Sequence, residues 1–356
     1  MSQDRWQSRN RYYLIFALGL ALSGALTKST IAETVVNRIK QANRVVSAVN
    51  VRAGLADLPN GTIWAGLAVD LTKALAAAIL QDPNKVAFAA GDRKTGPETV
   101  QSGAADLYIP VEPMAPSKLT DLSLTTSYPF FFNIQRVLVR KDSGITTVSQ
   151  LAHTQIVVQP GYRNEQNIEM ANEEHLRNYF ERAGWHPMIL AIEEWGETES
   201  AFTSGHVKAM SAEETELARL RLANRETVGD AVMLPEIIGM APVSAVVRTD
   251  DPSRLTLVNA TISVLIKAEE LGITSENIET SKTGKDPEVL YLLGVTKGIG
   301  KPVGLDDRWA ERVIKAVGNY GQAFDRDLGA SSGLAIDRGL NANWRHGGLL
   351  YAMPIQ

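Results

Sequence analysis

The chain has 356 residues, and its 36 lysines and arginines against 40 aspartates and glutamates give a formal net charge of -4. This balance excludes a generally basic nucleic-acid-binding protein, while 44% hydrophobic and 21% charged residues are ordinary for a globular chain of about two or three domains. The absence of cysteine excludes thiolate nucleophiles, disulfides and cysteine-ligated metals, and the five histidines lack the HxH or HExxH spacing of a zinc site.

The first 32 residues have the pattern of a secretory signal peptide. A head containing Arg5, Arg9 and Arg11 precedes an apolar run from Tyr12 to Leu26, and small residues end the segment at 30–32. The run holds about fifteen residues, fewer than the ~20 that span a bilayer, so export with cleavage is favoured over an uncleaved membrane anchor. We therefore expect a periplasmic protein, and the lack of a lipobox cysteine favours a free form.

Short apolar runs alternate with helical patterns along the rest of the chain, which is typical of α/β units around a largely parallel sheet. Apolar residues at 71, 75, 78 and 79 follow the spacing of a helix that packs on a sheet. The patterns predict, in this order, a helix over 33–41 and strands over 46–51, 86–89 and 107–109.

Two β-rich segments, 130–140 and 244–248, flank a second α/β series and are each expected to cross between two lobes. That series predicts strands over 156–158, 188–192 and 208–211 and helices over 164–183, 197–204 and 213–222. Helices over 252–271 and 307–326 would return to the first lobe. The sequence thus predicts lobe 1 from 33–140 and 244–356, including a C-terminal helical extension, and lobe 2 from 141–243, with a ligand in the crevice between them.

Five segments match a known family. They are WAGLAVD at 64–70, LPEII at 234–238, AEELGIT at 268–274, VGNYGQAFDRDLG at 317–329 and RGLNANWRHGGLLYAMP at 338–354. On these segments the chain resembles the periplasmic solute-binding proteins of amino-acid ABC importers (family 3 type), especially the general L-amino-acid-binding branch. The resemblance implies the α/β, type II periplasmic-binding-protein fold, in which two lobes joined by two hinge strands close on a free amino acid and deliver it to an ABC permease in the inner membrane.

A zwitterion in a water-poor cleft needs a partner for each of its charges. In the family, a first-lobe arginine and a second-lobe Gly-Thr loop take the carboxylate, and an aspartate takes the ammonium. The family positions fall on altered residues here: the arginine on Lys118, a nearby Gly and Thr on Val111 and Pro113, the Gly-Thr loop on Gly161, Tyr162 and Arg163, and the aspartate on Glu213. Lysine lacks the planar fork of arginine, and proline has neither a hydroxyl nor a backbone N–H.

Two interpretations of this altered pocket remain open. Either Arg163 has taken over the carboxylate, with Lys118 secondary and Glu213 still holding a cationic group, or the ligand is no longer an ordinary L-amino acid. Tyr162 and the aromatic run at 128–132 could wall the cleft. Taken without the resemblance, Lys118 is typical of a solvated surface charge and Glu213 of an acid in a first helical turn.

The predicted function is a non-enzymatic, monomeric binding protein that captures an amino acid or a related solute without cofactor, metal or nucleic acid. One alternative is a periplasmic dehydratase of the cyclohexadienyl or arogenate type on the same fold, with Glu112, Lys118 and Glu213 as acid-base groups. A second alternative is a sensor that presents its liganded form to a membrane receptor. Turnover of prephenate or arogenate would identify the enzyme, and a receptor that co-purifies only with the liganded form would identify the sensor.

Overall fold

The computed structural model describes residues 34–58, 61–159, 162–163, 169–170 and 172–355. The expected signal peptide, 1–32, and the candidate ligand residue Gly161 lie outside this description. None of the helices in the described part of the chain combines the length and the apolarity that crossing a membrane requires.

The described residues form thirteen strands. They are β1 (Val45–Val49), β2 (Val86–Ala90), β3 (Leu107–Ile109), β4 (Leu124–Thr126), β5 (Phe131–Val139), β6 (Gln155–Val158), β7 (Tyr162–Arg163), β8 (Glu169–Met170), β9 (Met188–Ala191), β10 (Ala209–Glu213), β11 (Val232–Met233), β12 (Gly239–Val243) and β13 (Val246–Arg248).

The described residues form thirteen α-helices. They are α1 (Val35–Ala42), α2 (Leu67–Leu80), α3 (Thr95–Gln101), α4 (Pro116–Asp121), α5 (Asn172–Arg182), α6 (Trp195–Thr203), α7 (Glu214–Ala223), α8 (Arg225–Val228), α9 (Pro252–Glu270), α10 (Ile278–Ser281), α11 (Pro287–Leu292), α12 (Trp309–Val317) and α13 (Tyr320–Asp327).

The strands form two mixed sheets. Sheet 1 has the order β2-β1-β3-β13-β4, in which β2, β1 and β3 run parallel and β13 is antiparallel to its neighbours. Sheet 2 has the order β11-β5-β10-β6-β9, with β12 also pairing with β5, and its β10, β6 and β9 run parallel. The short strands β7 and β8 pair only with each other within the described residues.

Helices pack on both faces of each sheet. In β1, Val45 and Val49 join the core formed with α2, α9 and α12, while Ala48 faces the opposite core formed with α3. In β5, Val137 faces α5 and Leu138 faces α6 and α7. This alternation follows the two-residue period of a strand and confirms the expected α/β class.

The second crossing strand differs from the expectation. Residues 244–248 were expected to cross between the lobes, but β13 pairs with β3 and β4 inside sheet 1. The strand that pairs with β5 is β12, whose sequence GMAPV contains a glycine and a proline and so has weak β propensity. Pro242 is tolerated because β12 lies at an edge, where the missing N–H removes no ladder hydrogen bond.

Two helices differ from the sequence expectation in their bounds. Of the helix expected over 164–183, the structure describes α5 from Asn172, while 169–170 form a strand and 164–168 and 171 lie outside the described residues. The helix expected over 307–326 is divided into α12 and α13. The division occurs at Gly318, whose φ of 81° is left-handed, and at Asn319, whose side chain caps α13 by accepting from the N–H of Gln322.

A partly buried charge cluster joins α2 to α13. The Asp70 carboxylate accepts from Arg326, whose side chain is 48% exposed, and Asp327 lies beside this pair. Burial, reinforced by the neighbouring Asp70 carboxylate, raises the pKa of Asp327 to about 8. Asp70 therefore joins two helices, and the raised pKa of Asp327 favours its protonated form at neutral pH.

We predict that Asp327→Asn removes a pH dependence of stability. Between about pH 4, where an unfolded aspartate ionises, and pH 8, the folded protein holds a proton that the unfolded chain has lost, so wild-type stability falls as pH rises. The amide is neutral throughout, so the variant should lose less stability over this range. Urea denaturation at pH 5, 6, 7 and 8 measures the difference.

Asp325→Asn is the matched control, because Asp325 lies in the same helix and hydrogen bonding to Ser331 lowers its pKa instead. That variant should keep the wild-type decline between pH 5 and 8. Parallel stability curves for the wild type and Asp327→Asn would contradict the assignment.

Candidate functional site

A cavity of about 160 Å³ lies where the two sheets approach each other. Its lining residues follow strand ends, lie in β5 and β12, or lie at the start of α5. They are Arg93, Glu112, Pro113, Asn133, Gln135, Asn172, His175, Glu213, Gly239, Met240 and Ala241. Ligand sites of α/β proteins usually form at the carboxyl ends of parallel strands, and this cavity lies at such an edge of both sheets.

Two connections of sheet 1 contribute a tight ion pair. Arg93 follows β2 and Glu112 follows β3, and Nη1 of Arg93 lies 2.7 Å from Oε2 of Glu112. Pro113, next to Glu112, also lines the cavity. Because the acid and the guanidinium lie on adjacent connections of the same sheet, they partly neutralise each other without a ligand.

Lys118 is exposed on α4, and it does not line the cavity. Its Nζ donates to the backbone carbonyl oxygen of Arg93 at 3.3 Å. Lys118 therefore contacts the loop that carries Arg93, but it does so from outside the cavity lining.

Strand β5 supplies two side-chain amide groups. Nε2 of Gln135 donates to the carbonyl oxygen of Asn172 at 2.8 Å and to Oγ of Ser211 at 2.9 Å, and its Oε1 lies 3.3 Å from Nδ1 of His175. Nδ2 of Asn133 donates to the carbonyl oxygen of Val111 at 3.2 Å, while its buried Oδ1 has no hydrogen-bond partner among the described residues. This wall thus holds one amide with several partners and one buried amide oxygen that lacks a partner in the described part of the chain.

Sheet 2 contributes Glu213, the last residue of β10 and the residue before α7. Its Oε2 accepts from Nδ2 of Asn172 at 3.1 Å. Its Oε1 lies 3.9 Å from Nη2 of Arg52, which follows β1 of sheet 1. Nη1 of Arg52 also lies 3.6 Å from Oε1 of Glu216 in α7, so Arg52 lies near two acids that follow β10 of sheet 2 or end it.

The residue after Glu213 has a different role. Glu214 is buried against Arg136, whose Nε lies 2.7 Å from its Oε1. Burial raises the pKa of Glu214, while the nearby guanidinium opposes this rise. Arg136 also donates to the carbonyl oxygen of Pro235, and it therefore ties β5 to the segment that leads into β12.

The sequence-predicted site residues are only partly brought together. Pro113 and Glu213 line the cavity, and Lys118 does not. Tyr162 and Arg163 form β7, and the structure describes their backbone only. The sequence allowed the aromatic run to wall the cleft, but none of the residues 128–132 lines this cavity: Phe130 and Phe131 are in the core and Tyr128 is exposed.

Sequence reasoning did not single out the cavity residues Arg93, Asn133, Gln135, Asn172 and His175, or Arg52, which lies near Glu213. The available signal was position: Arg52, Arg93 and Glu112 each lie three residues after the end of β1, β2 or β3.

No protein-family model matches this chain. Relatives nevertheless cover it almost completely. The general L-amino acid-binding periplasmic protein AapJ of Rhizobium johnstonii is 32% identical over 343 residues, 96% of this chain and 98% of the relative. The glutamate/glutamine/aspartate/asparagine-binding protein BztA of Rhodobacter capsulatus is 31% identical over 350 residues, 98% of this chain and 99% of the relative.

A solved structure agrees with these relatives. It is a periplasmic binding protein of an ABC transporter from Brucella ovis with glutathione bound, which is 32% identical to this chain. It superposes with a TM-score of 0.77 and covers 91% of this chain and 100% of its own.

We predict that Gly239→Ala destabilises the cavity wall. An added Cβ would lie 2.4 Å from Nδ1 of His175 and 2.7 Å from its Cγ, so the imidazole must move away from Gln135. The expected loss of unfolding free energy is about 1 to 3 kcal/mol. Urea denaturation measures it.

Gly196→Ala is the matched control, because Gly196 lies in α6 and an added Cβ meets nothing within 4 Å. There alanine should stabilise the helix by about 0.5 to 1 kcal/mol. Equal denaturation midpoints for the two variants would contradict the predicted clash.

Proposed function

Because this chain belongs to the amino-acid-binding periplasmic proteins of ABC transporters, we propose that it captures an amino acid or an amino-acid-like solute between its lobes for delivery to an ABC permease. The family and its type II fold of two lobes were both expected from the sequence, and the comparisons confirm them. The observation that carries the proposal is the cavity that has charged groups from both lobes on its walls.

The chemistry of the cavity suits a zwitterion. Glu213 is an anion for an ammonium group, and its Oε2 is held in place by Asn172. Asn133 offers a buried amide oxygen that has no other partner in the described part of the chain. Charged groups that leave water need such partners, so a solute with complementary charges gains most from lobe closure.

The names of the relatives define the solutes to test. AapJ binds L-amino acids in general, BztA binds two acids and their amides, and the Brucella ovis protein holds glutathione. All of these compounds carry an α-amino-acid head, which joins an ammonium and a carboxylate at one carbon. We propose that this head is the common feature of the solutes that the present chain binds.

The proposed lobes are 33–140 with 244–356 for lobe 1 and 141–243 for lobe 2, and β5 and β12 form the connection. Closure of the lobes would bring Glu213 toward the wall formed by lobe 1. A solute shifts the equilibrium toward the closed form only to the extent that it binds this form more tightly than the open form.

Of the site residues proposed from the sequence, Glu213 has the clearest support, since it lines the cavity. Pro113 lines the cavity but has no side-chain hydrogen-bonding group, so it would affect only the shape of the cavity. Lys118 would act through the Arg93 loop, whose carbonyl it binds. Gly161, Tyr162 and Arg163 remain predicted contacts of the loop that follows β6.

The proposed cellular setting follows the relatives, which are named as periplasmic proteins. Residues 1–32 would direct export and be removed, and the mature chain would act as a monomer that presents both lobes to the permease. The relatives are binding proteins, and no described feature of the cavity favours the dehydratase or the sensor. We therefore propose capture without a catalytic step.

We predict that mature wild-type protein, residues 33–356, is stabilised by at least one compound with an α-amino-acid head. The panel contains the twenty L-amino acids, their D-forms and glutathione, with polyamines and dicarboxylates as compounds without such a head. A solute that binds only the folded state raises the melting temperature, which a thermal-shift assay records. Glu213→Gln should weaken binding about 10- to 100-fold, because it removes a charged hydrogen-bond partner.

Glu197→Gln is the control for this variant, since it makes the same change on an exposed site of α6 in the same lobe. It should bind like the wild type. Stabilisation only by compounds that lack an α-amino-acid head would overturn the proposed solute class.

A further inference from the structure

Three arginines surround a pair of acids at the edge of sheet 1 opposite the cavity. Arg38 is in α1, Arg248 ends β13 and Arg254 is the third residue of α9. The cavity lies at the carboxyl ends of the parallel strands, whereas β13 is antiparallel to β3, so its last residue lies beside the start of β3. This arginine cluster is therefore separate from the residues that line the cavity.

Arg254 is the most buried of the three, and its hydrogen bonds are incomplete. Its side chain is 4% exposed. Nη2 donates to Oδ1 of Asp250 at 3.4 Å, and Nη1 lies 3.9 Å from Oδ1 of Asp106, which is beyond hydrogen-bond distance. Neither Nη1 nor Nε of Arg254 has a hydrogen-bond partner among the described residues. Burying N–H groups without acceptors costs free energy, so this position favours an additional acceptor.

Asp106 does not supply the missing acceptor, because both of its oxygens have closer donors. Its Oδ1 accepts from Nη2 of Arg38 at 2.6 Å, and its Oδ2 accepts from the backbone N–H of Val46 at 2.9 Å. These two contacts fix the carboxylate between α1 and β1. Arg254 is attracted to Asp106 from a longer distance without forming a hydrogen bond to it.

The two acids that precede α9 are also engaged. Oδ2 of Asp250 lies 3.0 Å from Nε of Arg248. Asp251 caps α9 by accepting from the N–H of Ser253 at 2.9 Å, and it also accepts from the N–H of Val35. Three aspartates thus balance the charge of the three arginines, but part of their hydrogen-bonding capacity goes to the backbone. The cluster therefore lacks acceptors more than it lacks negative charge.

The guanidinium groups also repel one another. Burial lowers the pKa of Arg254, and the neighbouring charges of Arg38 and Arg248 lower it further. The carboxylates of Asp250 and Asp106 oppose this lowering. An anion placed among the three guanidinium groups would act in the same direction as these carboxylates, and its oxygens would also accept hydrogen bonds.

We propose that the arginine cluster binds a small tetrahedral oxyanion, such as inorganic phosphate or sulfate, at a second site of this protein. Such an ion offers several oxygens, and guanidinium groups bind these oxygens through short, charged hydrogen bonds. Arg254 supplies the innermost donors, while Arg38 and Arg248 are 31% and 17% exposed and supply donors nearer to solvent. Because Arg254 is buried, the site favours a free ion over a phosphate headgroup held in a membrane surface.

The test titrates inorganic phosphate into the mature chain, residues 33–356, by calorimetry in a chloride buffer of constant ionic strength. The wild type should bind one phosphate per chain. Arg254→Gln should weaken binding by about 10- to 100-fold, because it removes a charged hydrogen-bond partner. Arg38→Gln and Arg248→Gln should each weaken it by a smaller factor, since contacts of more exposed groups are screened by water.

Urea denaturation with and without phosphate gives a second measurement, which also shows whether each variant folds. Phosphate should raise the denaturation midpoint of the wild type, because it binds only the folded state, and should leave that of Arg254→Gln unchanged. Arg308→Gln is the matched control, since it removes the same charge at an exposed ion pair with Glu311 outside the cluster. It should bind phosphate like the wild type.

Glu213→Gln separates this site from the cavity, and it should also bind phosphate like the wild type. Absence of phosphate binding by the wild type at millimolar concentrations would overturn the proposal, as would unchanged binding in all three variants of the cluster. Phosphate binding that is altered in Glu213→Gln but not in Arg254→Gln would place the ion in the cavity instead. Sedimentation with phosphatidylglycerol vesicles without binding of free phosphate would assign the cluster to a lipid headgroup and would likewise overturn it.

Discussion

The antiparallel pairing of β5 with β12 is the constraint on which the cavity depends. Their register runs from Phe131 opposite Val243 to Gln135 opposite Gly239. Because side chains alternate along β5, Gln135 reaches the cavity while Ile134 is buried on the other face. The proposed hinge strands thus also form a wall of the cavity, so a change in their twist on closure would move amide groups that contact the solute.

The charges around the cavity differ in how well they are satisfied before a ligand binds. Arg93 and Glu112 form a close pair between two connections of sheet 1, whereas Arg52, after β1 of sheet 1, and Glu213, at the end of β10 of sheet 2, form a loose pair. A close pair gains little from a ligand, because one charged partner only replaces another. A loose pair is expected to gain more, because new hydrogen bonds would not replace existing ones.

The sequence predicts regular elements better than it predicts the site. The strand at 107–109 and the helix beginning at Pro252 agree with the structure, because apolar periodicity determines which face is buried. The resemblance directed attention to Glu213, which lines the cavity. Arg93 could not be found in this way, since the cavity combines separate segments and no local pattern distinguishes a cation after a strand from a surface charge. Strand β12 was not predicted, because its glycine and proline give it weak β propensity.

The C-terminal segment 338–354 contacts β5 without lining the cavity, so the scaffold can be kept while the ligand contacts change. Arg338 lies over the rings of Tyr320 and Phe324 and donates to the carbonyl oxygen of Asn341. The Asn341 side chain accepts from the N–H of Phe132 at 2.7 Å and donates to its carbonyl oxygen at 3.0 Å, as a neighbouring strand would. This segment, which carries the longest match to the family, therefore supports β5 from outside the cavity. Since support and lining come from different residues, substitutions at strand ends can change the ligand contacts while the hinge strand keeps its partners.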